Sequence, residues 1–513
     1  MAPIADNRSN LRIACSLGCL MLAGCGNSGR THQAPAGHQG SSDGTGDAGA
    51  DAGIGNGLPA VDAGLGTAGA GGMQADAGTP FDAGTKADAG GHSKADAGPT
   101  QRACRAPAPC DVTQSTCQLA VLELAACVRE SDVPPQPPVR TISSQQLRDE
   151  LQAKAEAMGL SPSPWDTALI RLGLLAPETT IADAAVALET QSVAAYYERG
   201  AQRITLVDSN LPDDDATRME LLAHELTHYM QDLEVGLDAL RADYAASSDQ
   251  NNAATALIEG EATVTATRAL ARITDMDPAH IDWSGMTDSM LSDMLVHVAS
   301  SDAALYAANE TLPYPVGVRY VSDAWNHGGR GAVDTLFAHA PAALIDWISG
   351  YDGSGGTGSL AEKLDCGLPP PPDGFVTWSS DSLGAAGALA LLSVTAGQTD
   401  TTEDDFALAA KLRGDQLSTY ATAPGKDAPR SPVVVAWRLR FSDEAAAQAF
   451  QARAAMLDLT TRTFGRELLL TGGDVDNPLS GDVLDACPAP QDLMPPPAEG
   501  IVAASRRLPG VTR

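Results

Sequence analysis

The segment His224-Glu225-Leu226-Thr227-His228 contains the residue types that could do chemistry. On a helix, the two histidines lie one turn apart on one face, close enough for both imidazoles to bind one zinc ion. Glu225 lies beside them and could polarise a zinc-bound water, whose pKa falls to about 7. The alternative is a solvated helix face whose histidines form local hydrogen bonds, and the five residues alone leave it open.

The residues around this motif predict a helix. Thr217-x-x-Glu220 matches a capping box at its start, and Gly236 is expected to end it in a left-handed conformation. The two histidines would therefore be held on one rigid element.

A catalytic zinc needs a third protein ligand and one open position. Glu234 follows at a spacing that would suit a ligand if the chain turned back at residue 231. Gln231 occupies that position instead of glycine, and a continuing helix would carry Glu234 away from the metal. We therefore expect that Glu234 is not the ligand.

Glu259 is the better candidate for the third ligand. It lies in an Ala-rich segment whose helical start is predicted at Ser247-x-x-Gln250. A carboxylate buried there needs a charged partner or a metal. Glu261 lies about 200° around the helix from Glu259, so only one of the two can face the metal.

Two motifs together resemble the gluzincin class of zinc metallopeptidases: His-Glu-x-x-His, and a following helix with Glu-Gly-x-Ala. The segments "HELTHYMQD" and "ALIEGEAT" are similar to a bacterial and archaeal group of HELTH-type zincins. The resemblance implies that His224, His228 and Glu259 bind zinc. It also implies that Glu225 is the general base in peptide-bond hydrolysis.

Flanking segments extend the resemblance from about Ser192 to Phe337, through "AAYYERGAQRITLVDS" and "LPYPVGVRYVSDAWNHGGRGAVDTLF". Beyond Phe337 the sequence departs from that group, which affects the expected substrate preference and not the metal. Gluzincins usually stabilise the oxyanion with a Tyr or His from a later helix, so the resemblance makes Tyr314 the candidate, with Tyr320 and His327 as alternatives.

Three further elements could support such a site. Gln231 and Asp232 lie one turn beyond His228 and could each accept a hydrogen bond from an imidazole, although solvated positions are equally compatible. The β-branched segment Arg203–Ser209 predicts an edge strand that could pair with an extended peptide.

The sequence predicts a mainly α zincin-like catalytic domain with a small edge-strand sheet, followed by a smaller α+β C-terminal domain. "GLPPPPDG" marks the boundary, and beyond it "SPVVVAWRLRF" and "GRELLLTG" predict strands around a helix. The expected divisions are a signal peptide (1–25), a stalk (26–100), a cysteine-bearing segment (101–132), the catalytic domain (133–366), the C-terminal domain (374–487) and a Pro-rich tail (488–513).

The first 25 residues predict export. Arg8 and Arg12 accompany an apolar run that ends at Ala23 and is shorter than the roughly 20 residues of a spanning helix. Leu-Ala-Gly-Cys, ending at Cys25, resembles a bacterial lipoprotein cleavage box, which implies a lipid anchor on Cys25. Gly26 resembles lipoproteins sent to an outer membrane, and a plain secreted protein is the alternative.

The segment 26–100 is rich in Gly, Ala and Asp, and its irregular Asp-Ala-Gly repeats predict a disordered tether. The whole chain carries a formal charge of −32. An acidic surface disfavours nucleic acid and anionic lipid as partners. The gluzincin resemblance implies a peptide or protein substrate, and we expect the membrane to be reached only through the lipid anchor.

Six cysteines remain beyond Cys25, and an even number in an exported protein predicts disulfides. We expect two local bridges among the first four and a bridge between Cys366 and Cys487. The first four are Cys104, Cys110, Cys117 and Cys127. Zinc binding by these four is the alternative, although they lack Cys-x-x-Cys pairs.

These features predict a membrane-anchored zinc metallopeptidase in a bacterial cell envelope. The alternative from another class is a non-catalytic binding module that keeps the zincin scaffold. A third possibility is a protease inhibited by a thiolate from the cysteine-bearing segment.

Overall fold

The computed structural model describes residues 104–157, 163–351, 359–396, 403–422, 432–473 and 479. Within these ranges the protein is mainly helical, with a small mixed sheet and a larger antiparallel sheet near the C-terminus, as the sequence predicts. None of the described helices combines the length and the apolar character needed to cross a membrane. The predicted signal peptide, stalk and Pro-rich tail lie outside the described residues.

Eleven helices precede residue 359 in the described part of the chain: α1 (Ser115–Val128), α2 (Ser144–Ala157), α3 (Pro164–Arg171), α4 (Ile181–Ser192), α5 (Asp215–Val235), α6 (Leu237–Asp243), α7 (Ser248–Ile273), α8 (Trp283–Ser300), α9 (Ala304–Thr311), α10 (Pro313–Ala338) and α11 (Leu344–Tyr351). The histidine motif is on α5 and the Glu-Gly motif is on α7. Both motifs therefore lie on rigid helices.

The caps of these two helices agree only in part with the predicted ones. Ser247 caps α7 by accepting a hydrogen bond from the Gln250 N–H, and Gly236 ends α5 with a φ of 71°, both as predicted. The predicted capping box at Thr217 is wrong. Asp214 caps α5 instead, and its side chain accepts the Thr217 N–H, so the helix begins one turn earlier.

The small sheet has the strands β1 (Val139–Ile142), β2 (Ala195–Glu198) and β3 (Arg203–Val207), in the order β1-β3-β2. β3 pairs in parallel with β1 and antiparallel with β2. The predicted edge strand within Arg203–Ser209 is therefore the central strand, because β1 covers its other side. β2 is the edge beside α5.

A close approach of α7 and α10 fixes the position of the Glu-Gly motif. A methyl group on Gly260 would lie 2.5 Å from the backbone carbonyl carbon of Gly317, and one on Gly317 would collide with the carbonyl oxygen of Ala256. Both positions therefore require glycine, since no larger side chain fits between the helices. This contact gives a physical reason for glycine in the Glu-Gly and Pro-Tyr-x-x-Gly motifs.

The C-terminal sheet is antiparallel, with strands in the order β4-β5-β6-β8-β7. Its elements are β4 (Phe375–Asp381), α12 (Gly384–Ala396), α13 (Glu403–Ala409), β5 (Leu412–Thr422), β6 (Val433–Phe441), α14 (Glu444–Ala454), β7 (Thr460–Phe464) and β8 (Glu467–Gly473). The predicted strand-helix-strand pattern appears as β6, α14 and β8.

One hydrophobic core joins the two parts of the described chain. Leu257 of α7 and Val316 of α10 belong to the same buried cluster as Leu389 of α12 and Trp437 of β6. The C-terminal sheet is therefore packed against the helices that carry the Glu-Gly motif, and not held by a linker alone.

The cysteine-bearing segment contains the two predicted local bridges. Cys104 is bonded to Cys127, and Cys110 is bonded to Cys117. These bridges exclude zinc binding by the four thiolates in this state. Cys366 is also disulfide-bonded, and its predicted partner Cys487 lies outside the described residues.

Candidate metal centre

Three predicted ligand atoms meet in the protein interior. The Nε2 atoms of His224 and His228 are 2.9 Å apart, and Glu259 Oε2 lies 3.2 Å from the first and 3.3 Å from the second. All three side chains are buried. Among the described residues, this is the one group of histidine, cysteine and carboxylate side chains arranged to hold a metal ion.

The spacing and chemistry of these atoms fit zinc. Bonds of about 2.0 to 2.1 Å in tetrahedral geometry place ligand atoms about 3.3 Å apart. The observed separations of 2.9 to 3.3 Å are close to that value. Two imidazoles and one carboxylate also match the ligand set of a catalytic zinc, which keeps a fourth position open.

Burial and charge act together on the ligands. Burial lowers the pKa of His224 to about 4. Burial also disfavours charge on His228, but the Glu259 carboxylate outweighs this effect and raises the pKa of His228 to about 9. Despite its own burial, Glu259 has a pKa well below the ordinary value because the two histidines stabilise its negative charge. The carboxylate is therefore ionised and ready to bind a cation.

Glu225 is buried beside the ligands, as the motif predicts. Neither of its carboxylate oxygens has a hydrogen-bond partner of normal geometry among the described residues, although the Tyr197 backbone N–H lies close enough to lower its pKa. Burial raises the pKa of Glu225 to about 8, although the charge on His228 opposes this shift. Buried polar atoms in native proteins almost always have partners, so an unpartnered carboxyl group here indicates a place for water or a ligand.

Of the two residues that could orient an imidazole, only Gln231 does so. Gln231 Oε1 lies 2.9 Å from His228 Nδ1. The Asp232 carboxylate instead accepts a hydrogen bond from the Tyr197 hydroxyl at 2.8 Å and one from the Leu237 N–H at 2.9 Å. Asp232 therefore ties α5 to the edge strand β2 and to the start of α6.

An open cavity of about 520 Å³ extends from His228 along the edge strand. Tyr196, Tyr197 and Glu198 of β2 line one part of it, and Leu147 and Leu151 of α2 line another. The cavity is large enough for several residues of a peptide, and it reaches one of the three candidate ligands, His228.

The three candidates for oxyanion stabilisation have different surroundings. Tyr314 is buried at the start of α10, in the cluster that contains Leu222 and Leu226 of α5. Tyr320 packs against Trp347 with ring centres 4.8 Å apart. His327 has 77% of its side chain exposed and lies 3.4 Å from Asp323 on its own helix. These contacts do not test the role, and Tyr314 stays a prediction from the resemblance.

Glu234 is held away from the ligands, as the sequence predicts. Its carboxylate pairs with Arg129 at 2.7 Å and with Arg330 at 2.7 Å. Neither arginine was singled out by the sequence analysis. Arg129 follows Cys127 by two residues and Arg330 follows two glycines, and no spacing in the sequence connects either one to the histidine motif.

Comparison with models of known protein families, with curated protein sequences and with solved structures gives no match. The geometry of the three candidate ligand atoms and the buried Glu225 carboxyl group is therefore what indicates a function.

Proposed function

We propose that the protein is a zinc-dependent metallopeptidase of gluzincin type. The observation that carries this proposal is the convergence of His224, His228 and Glu259 beside Glu225, a buried carboxyl group without a partner. A solvated helix face, the alternative left open by the sequence, does not explain four buried polar side chains in one place. A zinc ion bound there would act as a Lewis acid and lower the pKa of bound water to about 7.

In this proposal Glu225 is the general base. Burial raises the pKa of Glu225 in the metal-free site, and the positive charge of a bound zinc ion would lower it again, so that an ionised carboxylate could accept a proton. Glu225 would take the proton as the water oxygen attacks the peptide carbonyl, and would then pass it to the leaving amine. Tyr314 is proposed to stabilise the oxyanion.

The edge strand β2 is suited to hold an extended peptide. The Val207 N–H donates to the Ala194 carbonyl at 2.8 Å. Antiparallel hydrogen bonding alternates from that pair, so the backbone groups of Ala195 and Tyr197 are directed away from β3. Tyr197 lines the cavity that reaches His228, and its backbone N–H also acts on Glu225, so a substrate strand could pair with the remaining outward backbone groups of this edge. The edge strand proposed to bind the substrate is therefore β2, and not the predicted strand at Arg203–Ser209.

The proposal includes export and anchoring. The lipoprotein-like sequence ending at Cys25 would attach the protein to a bacterial membrane, and the segment 26–100 would hold the peptidase away from it. The two disulfides in the cysteine-bearing segment support export, because such bonds persist mainly outside the cytosol.

The test is peptide cleavage by the zinc-loaded protein and by its Glu225→Gln variant. A mixed peptide library read by mass spectrometry should show cleavage by the wild type. Loss of a general base should lower turnover by about 10² to 10⁴-fold, while zinc content and fold stay unchanged. Glu123→Gln, a change of an exposed carboxylate on α1, is the matched control and should cleave like the wild type.

Two results would contradict the proposal. If the zinc-loaded wild type cleaves nothing in the library, a binding module with a zincin scaffold becomes the better account. If Glu225→Gln cleaves at the wild-type rate, Glu225 is not the base.

A further inference from the structure

The hydrogen bonds of Gln231 determine which nitrogen of His228 carries the hydrogen. The Gln231 amide nitrogen donates to the Ile258 carbonyl at 2.9 Å and to Glu261 Oε2 at 2.9 Å. A carbonyl and a carboxylate only accept, so the amide cannot be turned around. Gln231 Oε1 then faces His228 Nδ1 and must accept its hydrogen. A neutral His228 therefore offers its lone pair at Nε2, the atom that faces Glu259.

Glu261 is in turn held by two arginines. Its Oε1 accepts from Arg129 Nε at 2.9 Å and from Arg330 Nη1 at 2.6 Å. These bonds leave Oε2 facing Gln231. Glu234 connects the same two arginines on their other side, at 2.7 Å each. Two guanidinium groups and two carboxylates thus alternate, and Arg330 Nε also pairs with Asp334 at 2.8 Å. The buried Arg129 and Glu261 are both 1% exposed or less.

Both arginines are placed by breaks in helical geometry. Arg129 ends α1 and is followed by Glu130 with a φ of 59°, a conformation that non-glycine residues rarely adopt. Arg330 follows Gly329, where α10 is interrupted by a φ of 58° and a ψ of −151°. Unfavourable backbone conformations persist where the surrounding structure over-determines them. The positive φ is costly at Glu130 and readily adopted by Gly329, and the two breaks converge on one carboxylate.

Arg129 also connects this network to the cysteine-bearing segment. Cys127, two residues before it, is bonded to Cys104. We propose that Arg129, Arg330, Glu234 and Glu261 form a positioning network that holds His228 in its metal-binding state through Gln231, so that the disulfide-bonded segment is part of the metal centre. This inference depends on the proposed metal-binding function.

The test is zinc affinity, measured by chelator competition, together with the visible absorption spectrum of the cobalt-loaded protein. Loss of outer contacts to a metal ligand lowers metal affinity by about 10 to 100-fold. We expect that loss in Arg129→Met and in Gln231→Leu, with changed cobalt absorption bands because the His228 geometry changes. The Gln231 variant leaves all four charged residues in place, so it reports on positioning if Arg129→Met does not fold.

Arg438→Met is the matched control. Arg438 is fully buried in β6 and lies over the Phe464 ring at 4.8 Å, so its loss tests the removal of a buried arginine elsewhere. Its folded fraction should bind zinc within about twofold of the wild type and give the wild-type cobalt spectrum. A Cys104→Ala/Cys127→Ala double variant should bind zinc about 10-fold more weakly.

The outcomes separate this inference from the proposed function. If the wild type binds zinc and Gln231→Leu binds it equally well with an unchanged cobalt spectrum, the positioning network is wrong and the metal site stands. Wild-type affinity in the double cysteine variant would remove the disulfide-bonded segment from the metal centre. A wild type that binds no zinc would overturn both proposals, because His228 would not be a metal ligand and the network would have no ligand to position.

Discussion

The start and the middle of α7 bury the same kind of side chain and give it opposite charge states. In the middle, Glu259 and Glu261 are buried and have lowered pKa values. At the start, Asp249 is also buried, yet its pKa is raised to about 8. Burial alone disfavours the charged form at both places, so the neighbours determine the difference.

Cationic neighbours surround the middle of the helix. Arg129 and Arg330 oppose the effect of burial on Glu261, and the two histidines oppose it on Glu259. Both carboxylates therefore stay ionised at neutral pH. A negative charge at Glu259 is what a zinc site requires.

Other carboxyl groups surround the start of the helix. Burial raises the pKa of Asp249 to about 8 and that of Asp381 to about 7, and the nearby Asp415 adds to both shifts. The donors there are neutral: Asp381 accepts from the Ser248 N–H and hydroxyl, and Asp415 accepts from Trp437 Nε1 at 2.8 Å. Neutral donors without a cation leave the pKa values of Asp249 and Asp381 raised, so a buried carboxyl group on this helix stays ionised only where cationic neighbours outweigh burial.

The largest expected effect is that of Glu259→Gln on metal binding. The amide keeps the shape of the side chain and removes its charge. Because loss of an outer contact already costs about 10 to 100-fold, loss of a ligand should lower zinc affinity by more than about 100-fold. Chelator competition measures this change. Retention of wild-type affinity would mean that Glu259 is not a ligand.

Glu261→Gln should lower the free energy of unfolding, whereas Glu259→Gln should lower the affinity for zinc. Removing one charge from a buried ion pair costs about 3 to 5 kcal/mol, and here Arg129 would be left with the partly exposed Glu234, while Arg330 would keep Glu234 and Asp334. Because the pKa of Glu261 is lowered in the folded protein, the stabilisation by its charge is fully present above its pKa in the unfolded chain, about 4.3. This stabilisation is lost as pH falls through the pKa of Glu261 in the folded protein. Urea unfolding at pH 7 and pH 3.5 should show a smaller difference at acid pH; an equal difference at both would contradict an ionic origin.

Gly260→Ala tests the packing that places both carboxylates. The added methyl group would lie 2.5 Å from the backbone carbonyl carbon of Gly317, so the helices must separate. Overpacking of this kind costs about 1 to 3 kcal/mol. Thermal unfolding measures the loss, and Gly331→Ala, where a methyl group meets no atom within 4 Å, is the control. Equal stability of the two variants would contradict the close approach.

Asp249→Asn should change the pH dependence of stability in the opposite direction from Glu261→Gln. A raised pKa means that the folded protein binds a proton that the unfolded chain releases, so wild-type stability falls as pH rises from about 4 to about 8. The amide imitates the protonated group and removes this dependence, which amounts to at most about 1.4 kcal/mol per unit of pH. Unfolding free energies at pH 5 and pH 8 test the slope. An unchanged slope would mean that Asp249 does not titrate in this range.

Local patterns in the sequence were sufficient to identify the three side chains that could hold a metal ion and to predict much of the fold. The His-Glu-x-x-His spacing, the cap at Ser247 and the left-handed Gly236 each depend on residues within one or two helical turns. The start of α5 was misplaced because Asp214 and Thr217 are both good caps three residues apart. Such choices are decided by packing, and not by the cap residue alone.

Long-range contacts could not be predicted from the sequence. Nothing near Arg203 indicates that β1, more than 60 residues earlier, covers one side of β3. Arg129 and Arg330 reach Glu261 from positions 132 and 69 residues away. An arginine has the same local signature on a surface and in a buried network, so only the fold shows that these two belong beside the metal centre.

The central claim is that His224, His228 and Glu259 hold one zinc ion. The most direct measurement is the zinc content per chain by elemental mass spectrometry, for the purified wild type and for His228→Ala and Glu259→Ala. The account predicts about one zinc per wild-type chain, and none in either variant. A wild type that stays free of zinc after reconstitution, or variants that keep their zinc, would contradict it.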